Sequence, residues 1–377
     1  MKTLSFFFFL LASFTVLPLG VIGADDEVPQ LFDMDAIRDA STLDVEVLQD
    51  WHLVDGRFPS RQKLVTIHVG EFWPGQNYRM PVRLVVPAEG KAKGFQLTGG
   101  SNPKALKQDK RISASDAVML EGGVGFVTTV VQVLAISDLQ ELGKESEERF
   151  AKSLNPHDKI QYWAWPATLM RAITLAHSES EHFEPGKIVG HGGSKNGATP
   201  SLALIHDDRM TGVFAQVSPI WESPLRLCED EAWAELREHW GEPTNTFLGG
   251  HYGPSHNKAA LAAGRSWEDL QDFAKKWSKG VFISMNLDAL RARGAEMMFV
   301  PGSHDSVIYD LAWGGEHYPS IPLYLTPNSG HGQKKKHPAT ERGQNNKGIF
   351  MLRHFFPDEV EPLLAPPAVQ TEQKGDA

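Results

Sequence analysis

Hydrophobic and polar positions follow strand-like and helix-like patterns along most of the chain. Two extended segments rich in Val, Ile and aromatic residues, Gln62–Trp73 and Tyr78–Pro87, flank a Pro74–Asn77 turn and predict a hairpin. Lys93–Thr98 predicts a third strand. The nearly continuous apolar run Val124–Leu134 predicts a strand buried on both faces.

Strand and helix patterns then alternate in the second half of the chain. The predicted elements are a helix over Trp165–His177, a strand over Lys187–Gly192, a helix over Ser194–His206, strands over Thr211–Pro219, Glu296–Pro301 and Ile321–Thr326, and a last helix over Arg342–Phe356. Such alternation predicts the α/β class. We expect a mostly parallel central sheet with an N-terminal antiparallel hairpin and helices on both faces.

Four segments depart from this alternation. Residues 25–60 show no strong period, and the polar residues 138–160 predict a surface excursion. Residues 223–283 hold several Trp residues and helical charge patterns, which predict an inserted helical cap. Residues 361–377 are rich in Pro and predict a disordered tail, so the folded domain is expected to span 25–360.

The N-terminal segment 1–24 has the pattern of an export signal. Lys2 precedes the apolar run Phe6–Val21, and small residues follow up to Ala24. A membrane anchor is the alternative, but the run is short and is broken by Pro18. We therefore expect a cleaved signal peptide, a periplasmic or extracellular protein, and no stable membrane insertion after cleavage.

Composition narrows the function further. The chain has 377 residues and a net charge of −10, which argues against nucleic acid as a partner. Cys228 is the only cysteine, which excludes an internal disulfide, and the acidic residues after it disfavour a reactive thiolate. The His and Asp residues show no metal-ligand spacing, so no metal and no cofactor are expected.

Ile188–Gly197 carries the clearest chemical signal. A short apolar strand runs into glycines, then Ser194, then a helix. A serine at a sharp strand-to-helix turn needs very small neighbours, and Gly192 meets this need, although Asn196 replaces the second glycine usual in such turns. The pattern predicts Ser194 as a nucleophile, with the backbone N–H of Lys195 donating to an oxyanion. The alternative is a glycine-rich turn with a helix-capping serine.

A second oxyanion donor is expected from another glycine turn. Gly99 and Gly100 follow the third predicted strand, where hydrolases of this kind place such a loop. The alternative reading is an ordinary turn. The glycines at 192 and 193 resemble the same loop, but their position directly before Ser194 argues against that role.

The expected base and acid follow the nucleophile along the chain. His331 lies in a small-residue loop after a predicted strand, and Asp305 lies in a turn after Glu296–Pro301. The order Ser, acid, His predicts that His331 accepts the proton of Ser194 and that Asp305 orients it. Glu222, after the strand Thr211–Pro219, is the alternative acid.

Seven short stretches share one resemblance: Leu97–Asn102, Val130–Val133, Trp163–Pro166, Gly192–Gly197, Asp208–Met210, Gly302–Asp305 and Pro327–His331. Together they resemble the PhoPQ-activated pathogenicity-related (PqaA-like) proteins of the α/β-hydrolase superfamily. The resemblance covers about residues 60–355, with the weakest match at 223–283. It implies an α/β-hydrolase fold and hydrolase activity. It also implies that a Ser-Lys-x-Gly turn is typical of the family.

A more distant likeness joins the chain to glucuronoyl esterases, which have Gly-x-Ser-Arg-x-Gly. In those enzymes the cationic residue after the serine helps to stabilise the oxyanion, and the resemblance implies the same role for Lys195. The alternative is a lysine side chain that only contacts solvent. The sequence therefore predicts a secreted serine hydrolase acting on a small-molecule or carbohydrate ester. Two alternatives stay open: a non-catalytic binding protein of this fold, and a uronic acid esterase whose Trp residues stack on sugars.

Overall fold

One mixed sheet organises the molecule. The structure is a computed structural model that describes residues 28–100, 106–131, 137–217, 229–240, 259–303, 326, 330–331 and 338–364. The strands in these residues are β1 (Glu46–Val54), β2 (Ser60–Trp73), β3 (Gln76–Pro87), β4 (Ala92–Gly100), β5 (Gly125–Val130), β6 (Phe183–Gly193), β7 (Gly212–Gln216) and β8 (Glu296–Val300).

The order of strands in the sheet is β1-β2-β3-β5-β4-β6-β7-β8. The first four pair in antiparallel fashion, whereas β5, β4, β6, β7 and β8 run parallel to one another. The mostly parallel sheet and the N-terminal hairpin β2–β3 are therefore confirmed. Because the parallel strands point the same way, Gly100, Gly193, Gln216 and Val300 all end at one edge.

Helices cover both faces of this sheet. In the described residues they are α1 (Met34–Arg38), α2 (Ala114–Glu121), α3 (Ser137–Ser153), α4 (Ala164–Ser178), α5 (Lys195–His206), α6 (Asp230–Trp240), α7 (Trp267–Val281), α8 (Leu287–Ala292), α9 (Pro338–Phe355) and α10 (Pro357–Leu364).

The apolar residues of the strands divide into two cores, one on each face. In β8, Met297 and Phe299 belong to the core packed by α4 and α5, while Met298 and Val300 belong to the core packed by α2 and α9. This alternation follows from the two-residue period of a strand. A strand that is apolar at every position is therefore a strand with both faces covered.

The sequence did not predict the strand at one edge of the sheet. Residues 46–54 form β1, which pairs with β2 at the side of the sheet. Val47 and Leu53 in this strand are about half exposed, at 51% and 54%. Because β1 packs few side chains into a core, it lacks the apolar alternation by which a strand is recognised.

The polar stretch 138–160 was wrongly predicted as a surface excursion. It forms helix α3 and a short 3-10 turn at Pro156–Asp158. Leu142 and Phe150 are buried, and so is Ser146 between them. A serine in the middle of the buried stripe interrupts the apolar pattern and hides an amphipathic helix.

Most of the described residues of segment 223–283 are helical and belong to α6 and α7. Trp233 is buried and packs beside Trp267, with ring centroids 5.7 Å apart, in a small core of the segment's own. Trp233 is thus a packing residue and not a platform for a sugar. The role of this segment as a cap stays a prediction.

At the C-terminal end, α9 begins at Pro338, four residues before the predicted start. Helix α10 runs to Leu364, so the boundary predicted for a disordered tail, at residue 361, falls inside a helix. Among the described residues, no helix is both long and apolar enough to cross a bilayer. The predicted signal peptide 1–24 lies outside the described residues.

Candidate active site

Ser194 occupies a strained turn between β6 and α5. Its backbone has φ 55° and ψ −130°, in the region of positive φ that residues with a side chain rarely adopt. Its N–H donates to the backbone oxygen of Gln216 at the end of β7, 2.8 Å away. The N–H groups of Gly197 and Ala198 return to the carbonyl of Ser194, at 2.9 and 3.1 Å, and so begin the helix at Lys195. The geometry matches the strained strand-to-helix turn that presents a nucleophile in α/β-hydrolases.

Small residues are required on the strand side of this turn. A Cβ added to Gly192 would lie 2.2 Å from the backbone oxygen of Asn196, and one added to Gly190 would lie 2.5 Å from Cβ of Pro200. Strand β6 and helix α5 can approach this closely only because these positions lack side chains. The close contact at Gly192 is the physical reason for the small residue that the sequence indicated there.

A second strained residue lies at the end of the neighbouring strand. Val217 follows β7 and has φ 44°, an outlier for a β-branched side chain. Its N–H donates to the backbone oxygen of Val300, 3.0 Å away. Strain of this kind costs on the order of 1–3 kcal/mol per residue and clusters at functional sites. Ser194 and Val217 thus mark one edge of the sheet as the candidate site.

Gly99 and Gly100 lie at the same edge, on the strand next to β6. Strand β4 pairs with β6 up to Leu97 and Gly190, and the hydroxyl of Thr98 donates to the backbone oxygen of His191 at 2.9 Å. A Cβ on Gly99 would lie 2.5 Å from a methyl of Val131. Gly99 and Gly100 thus form the last part of β4, and not the turn that the sequence predicted directly after Thr98. The pairing of β4 with β6 still brings them beside the glycines that precede Ser194.

Three charged residues, of which only Lys159 is fully buried, interact electrostatically next to the turn. Burial lowers the pKa of Lys195, and the attraction of Glu147 on α3 opposes that shift. Glu147 also forms an ion pair with Lys159, whose side chain is 0% exposed. Both residues lie in the polar run 138–160, which the sequence predicts as a surface segment. The spacing of Leu142, Ser146 and Phe150, four residues each, was the available signal of a helix with one buried face.

The remaining predicted residues are only partly described. Thr326 bridges to Gly302 in parallel fashion, with its N–H donating to the oxygen of Pro301 at 2.8 Å. This contact extends the parallel sheet beyond β8. His331 follows five residues after Thr326 and is exposed. Asp305 and the alternative acid Glu222 lie outside the described residues.

In the described part of the chain, no group of three or more His, Cys, Asp or Glu side chains is arranged to hold a metal ion.

The sheet order, the helices on both faces and the strained serine turn together define the α/β-hydrolase fold. No protein-family model and no curated protein matches the chain. The resemblance to the PhoPQ-activated pathogenicity-related proteins therefore stays a prediction.

Solved structures do match. A CE15 glucuronoyl esterase from Teredinibacter turnerae is 14% identical, with a TM-score of 0.46, over 81% of this chain and 78% of that one. An acetyl xylan esterase from a Paenibacillus species is 12% identical, with a TM-score of 0.47, over 83% of this chain and 90% of that one. Identities and TM-scores this low assign neither a family nor a substrate to the chain.

Proposed function

We propose that this protein is a serine hydrolase that cleaves carboxylic esters by acyl transfer through Ser194. The observation that carries the proposal is the backbone of Ser194, at φ 55° and ψ −130° in a turn from strand to helix. A serine that only capped the helix would adopt an ordinary extended backbone and would accept a hydrogen bond from the first turn. Ser194 makes no such capping bond. Backbone strain of about 1–3 kcal/mol at a residue is found preferentially at active sites.

The oxyanion of the tetrahedral intermediate is expected to bind at the start of α5. The first N–H groups of a helix have no partners inside it, and the helix dipole favours negative charge there. The N–H of Lys195 directly follows the nucleophile and supplies one donor. Gly99 and Gly100, at the end of the adjacent strand β4, are expected to supply the second. Each donor is worth about 3 kcal/mol of transition-state stabilisation.

His331 serves in this proposal as the base that takes the proton of Ser194 and returns it to the leaving group. Three strand spacings, about 14 Å, separate the end of β6 from Thr326. The five residues from Thr326 to His331 can span up to about 17 Å. The loop is therefore long enough to bring the imidazole to the serine. Asp305 orients His331, with Glu222 as the alternative acid.

Labelling with a fluorophosphonate tests the nucleophile. Wild-type protein is expected to be labelled at one site, and Ser194→Ala is expected to abolish labelling. Ser178→Ala, at the end of α4, is the matched control and should label as wild type does. Labelling that persists in Ser194→Ala would leave the non-catalytic binding protein as the better interpretation.

The two candidate acids are separated by a pair of neutral variants. Removing the charge of the true triad acid lowers kcat by about 10⁴-fold, because the imidazole loses its orienting partner. Asp305→Asn is expected to have this effect and Glu222→Gln to stay within tenfold of wild type. The reverse result would transfer the role to Glu222.

Two further parts of the proposal concern substrate and location. The substrate is a small-molecule or carbohydrate ester, and turnover of a panel of acetyl, aryl and uronic acid esters by wild type but not by Ser194→Ala would identify the class.

Export follows from the segment 1–24, and the N-terminal sequence of the protein recovered from its host would locate the cleavage site.

A further inference from the structure

A cleft of about 650 Å³ lies at the edge of the sheet opposite Ser194. Its walls are the β1–β2 connection at residues 55–58 and the segment 109–114, which leads into α2. Ser60, at the start of β2, pairs with Pro87 at the end of β3, so this edge holds the amino ends of the parallel strands. Ser194 follows the carboxyl end of β6, and the length of β5, about 20 Å, separates the two edges. The cleft therefore has the volume of a small-molecule site and is distinct from the serine turn.

Two guanidinium groups of this cleft have no acidic partner in the described part of the chain. They belong to Arg57 and Arg111, which are both exposed. The guanidinium of Arg57 lies 5.1 Å from the ring centroid of Phe58. The third cation of the lining, Lys110, already pairs with Asp116 at 2.9 Å. Because a planar guanidinium binds a carboxylate through two parallel hydrogen bonds, Arg57 and Arg111 are suited to bind an anion.

Buried side chains hold the wall that carries Arg111. Gln62 has no exposed surface, and its side chain accepts from the N–H of Lys110 and donates to the carbonyl of Lys110, each at 2.8 Å. Arg83 is 2% exposed and donates to the carboxylate of Asp109 at 3.1 Å. Arg83 thereby compensates the negative charge that Asp109 brings to the lining. A wall that is fixed before the ligand arrives lowers the entropy cost of binding.

A second cavity, of about 320 Å³, adjoins the cleft, and Arg57 and Phe58 line both. Its walls are mostly apolar and include Phe58, Pro59, Pro87, Ala88, Ala117 and Leu120. The remaining acidic residues of the two linings are Asp55, Glu89 and Glu121. All three are exposed, so their charges are hydrated and screened by salt. An apolar group in this second cavity would be removed from water.

We propose that the two cavities form one binding site for an amphiphilic carboxylate, with the carboxylate on Arg57 and Arg111 and the alkyl or aryl part in the apolar cavity. Phe58 lies where the two cavities meet, so one ligand can extend across it. A neutral ligand would leave both guanidinium groups without an anion, and a small anion would leave the apolar cavity unused. The inference is independent of the proposed hydrolysis, because the site shares no residue with the serine turn.

Titration calorimetry at pH 7 with octanoate, acetate and 1-octanol tests the two halves of the site. Octanoate is expected to bind wild type at least about tenfold more tightly than acetate or 1-octanol, because only octanoate has both a charge and an apolar chain. Octyl phosphate is expected to bind no more tightly than octanoate. Tighter binding of octyl phosphate would overturn the assignment to a carboxylate, and equal binding of octanoate and acetate would overturn the apolar half.

Variants of the lining locate the binding. Arg57→Gln/Arg111→Gln is expected to weaken octanoate at least about tenfold and to leave 1-octanol within about twofold of wild type. Phe58→Ala is expected to weaken octanoate about fivefold and to leave acetate unchanged. Unchanged octanoate affinity in the double arginine variant would overturn the proposal. If that variant does not fold, Arg57→Gln and Arg111→Gln serve singly, and each is expected to weaken octanoate about threefold or more.

Two controls separate this site from general effects of charge and from the serine turn. Lys91→Gln/Lys107→Gln removes two positive charges from exposed residues outside both linings, and octanoate should bind it as it binds wild type. An equal loss in this control would show that net charge, and not the cleft, determines binding. Ser194→Ala should also bind octanoate as wild type does. Loss of binding in Ser194→Ala would place the ligand at the serine turn and refute the second site.

Discussion

Gly192 and Asn196 lie so close together that only a residue without a side chain fits at position 192. A Cβ there would lie 2.2 Å from the Asn196 carbonyl oxygen. The contacting atom belongs to the helix backbone and cannot rotate away. The strained turn at Ser194 therefore depends on this close approach of β6 to α5.

Gly192→Ala is accordingly expected to destabilise the protein and to disrupt the site. Overpacking of this kind costs about 1–3 kcal/mol. We expect a lower melting temperature and a loss of fluorophosphonate labelling. Gly193→Ala is the matched control, since a Cβ there would lie 3.5 Å from its nearest contact, the oxygen of Gln216. Equal losses in both variants would show that the contact at Gly192 is not the cause.

Glycine at position 194 should relieve the strain that the serine carries. Glycine adopts positive φ without steric cost, so Ser194→Gly is expected to be about 1 kcal/mol more stable than Ser194→Ala, although both are inactive. Urea unfolding of the two variants measures the difference. Ser201, inside α5, provides the control: there the glycine variant should be the less stable of the pair, because helix interiors disfavour glycine. A Ser194→Gly variant less stable than Ser194→Ala would mean that the turn is unstrained.

The packing of Gly99 against Val131 predicts a compensating pair. A Cβ on Gly99 would lie 2.5 and 2.6 Å from the two methyls of Val131. Gly99→Ala alone is expected to cost about 1–3 kcal/mol, and Val131→Ala alone to cost a similar amount through the lost burial of its methyls. The double variant should lose less free energy of unfolding than the two single variants lose together, because the methyl at position 99 occupies the space vacated at position 131. Strict additivity in the urea midpoints would contradict this packing.

His206 makes stability depend on pH where α5 meets α7. Its Nε2 lies 2.7 Å from the backbone oxygen of Gly280 and donates to it. Burial lowers the pKa of His206 to about 4, against 6.5 for an unperturbed histidine. Between these values the unfolded chain binds more protons than the folded one, so the free energy of unfolding falls as the pH drops through that window.

The size of this effect is open to measurement. At pH 5 the shift corresponds to about 2 kcal/mol lost relative to pH 7. His206→Gln keeps a donor for Gly280 but does not titrate, so its urea midpoint should fall less between pH 7 and pH 5 than that of wild type. An identical fall in both proteins would assign the acid sensitivity to other groups.

Features that depend on neighbours in the chain were predictable from the sequence. The hairpin β2–β3, the helix α4 and the turn at Ser194 depend on alternation, helical spacing and glycines within about ten residues of each other. Their signals are local because the periods of 2 and 3.6 residues are set by the backbone itself. Strand β1 and helix α3 were missed where that local signal failed. β1 is largely exposed, and Ser146 interrupts the apolar stripe of α3.

What the sequence alone determined is thus the kind of element wherever the apolar pattern is regular, together with the residue types at the turn. The tertiary structure decided which of these elements lie together. Nothing in the pattern of β4 or β6 states that the two are neighbours, yet their pairing brings Gly99 and Gly100 to the edge where Ser194 lies. Nor does the polar run 138–160 indicate that Phe150 packs against Phe273, with ring centroids 5.3 Å apart. Such contacts join residues far apart in the chain, and they form because the complete sheet and its helices bury apolar surface together.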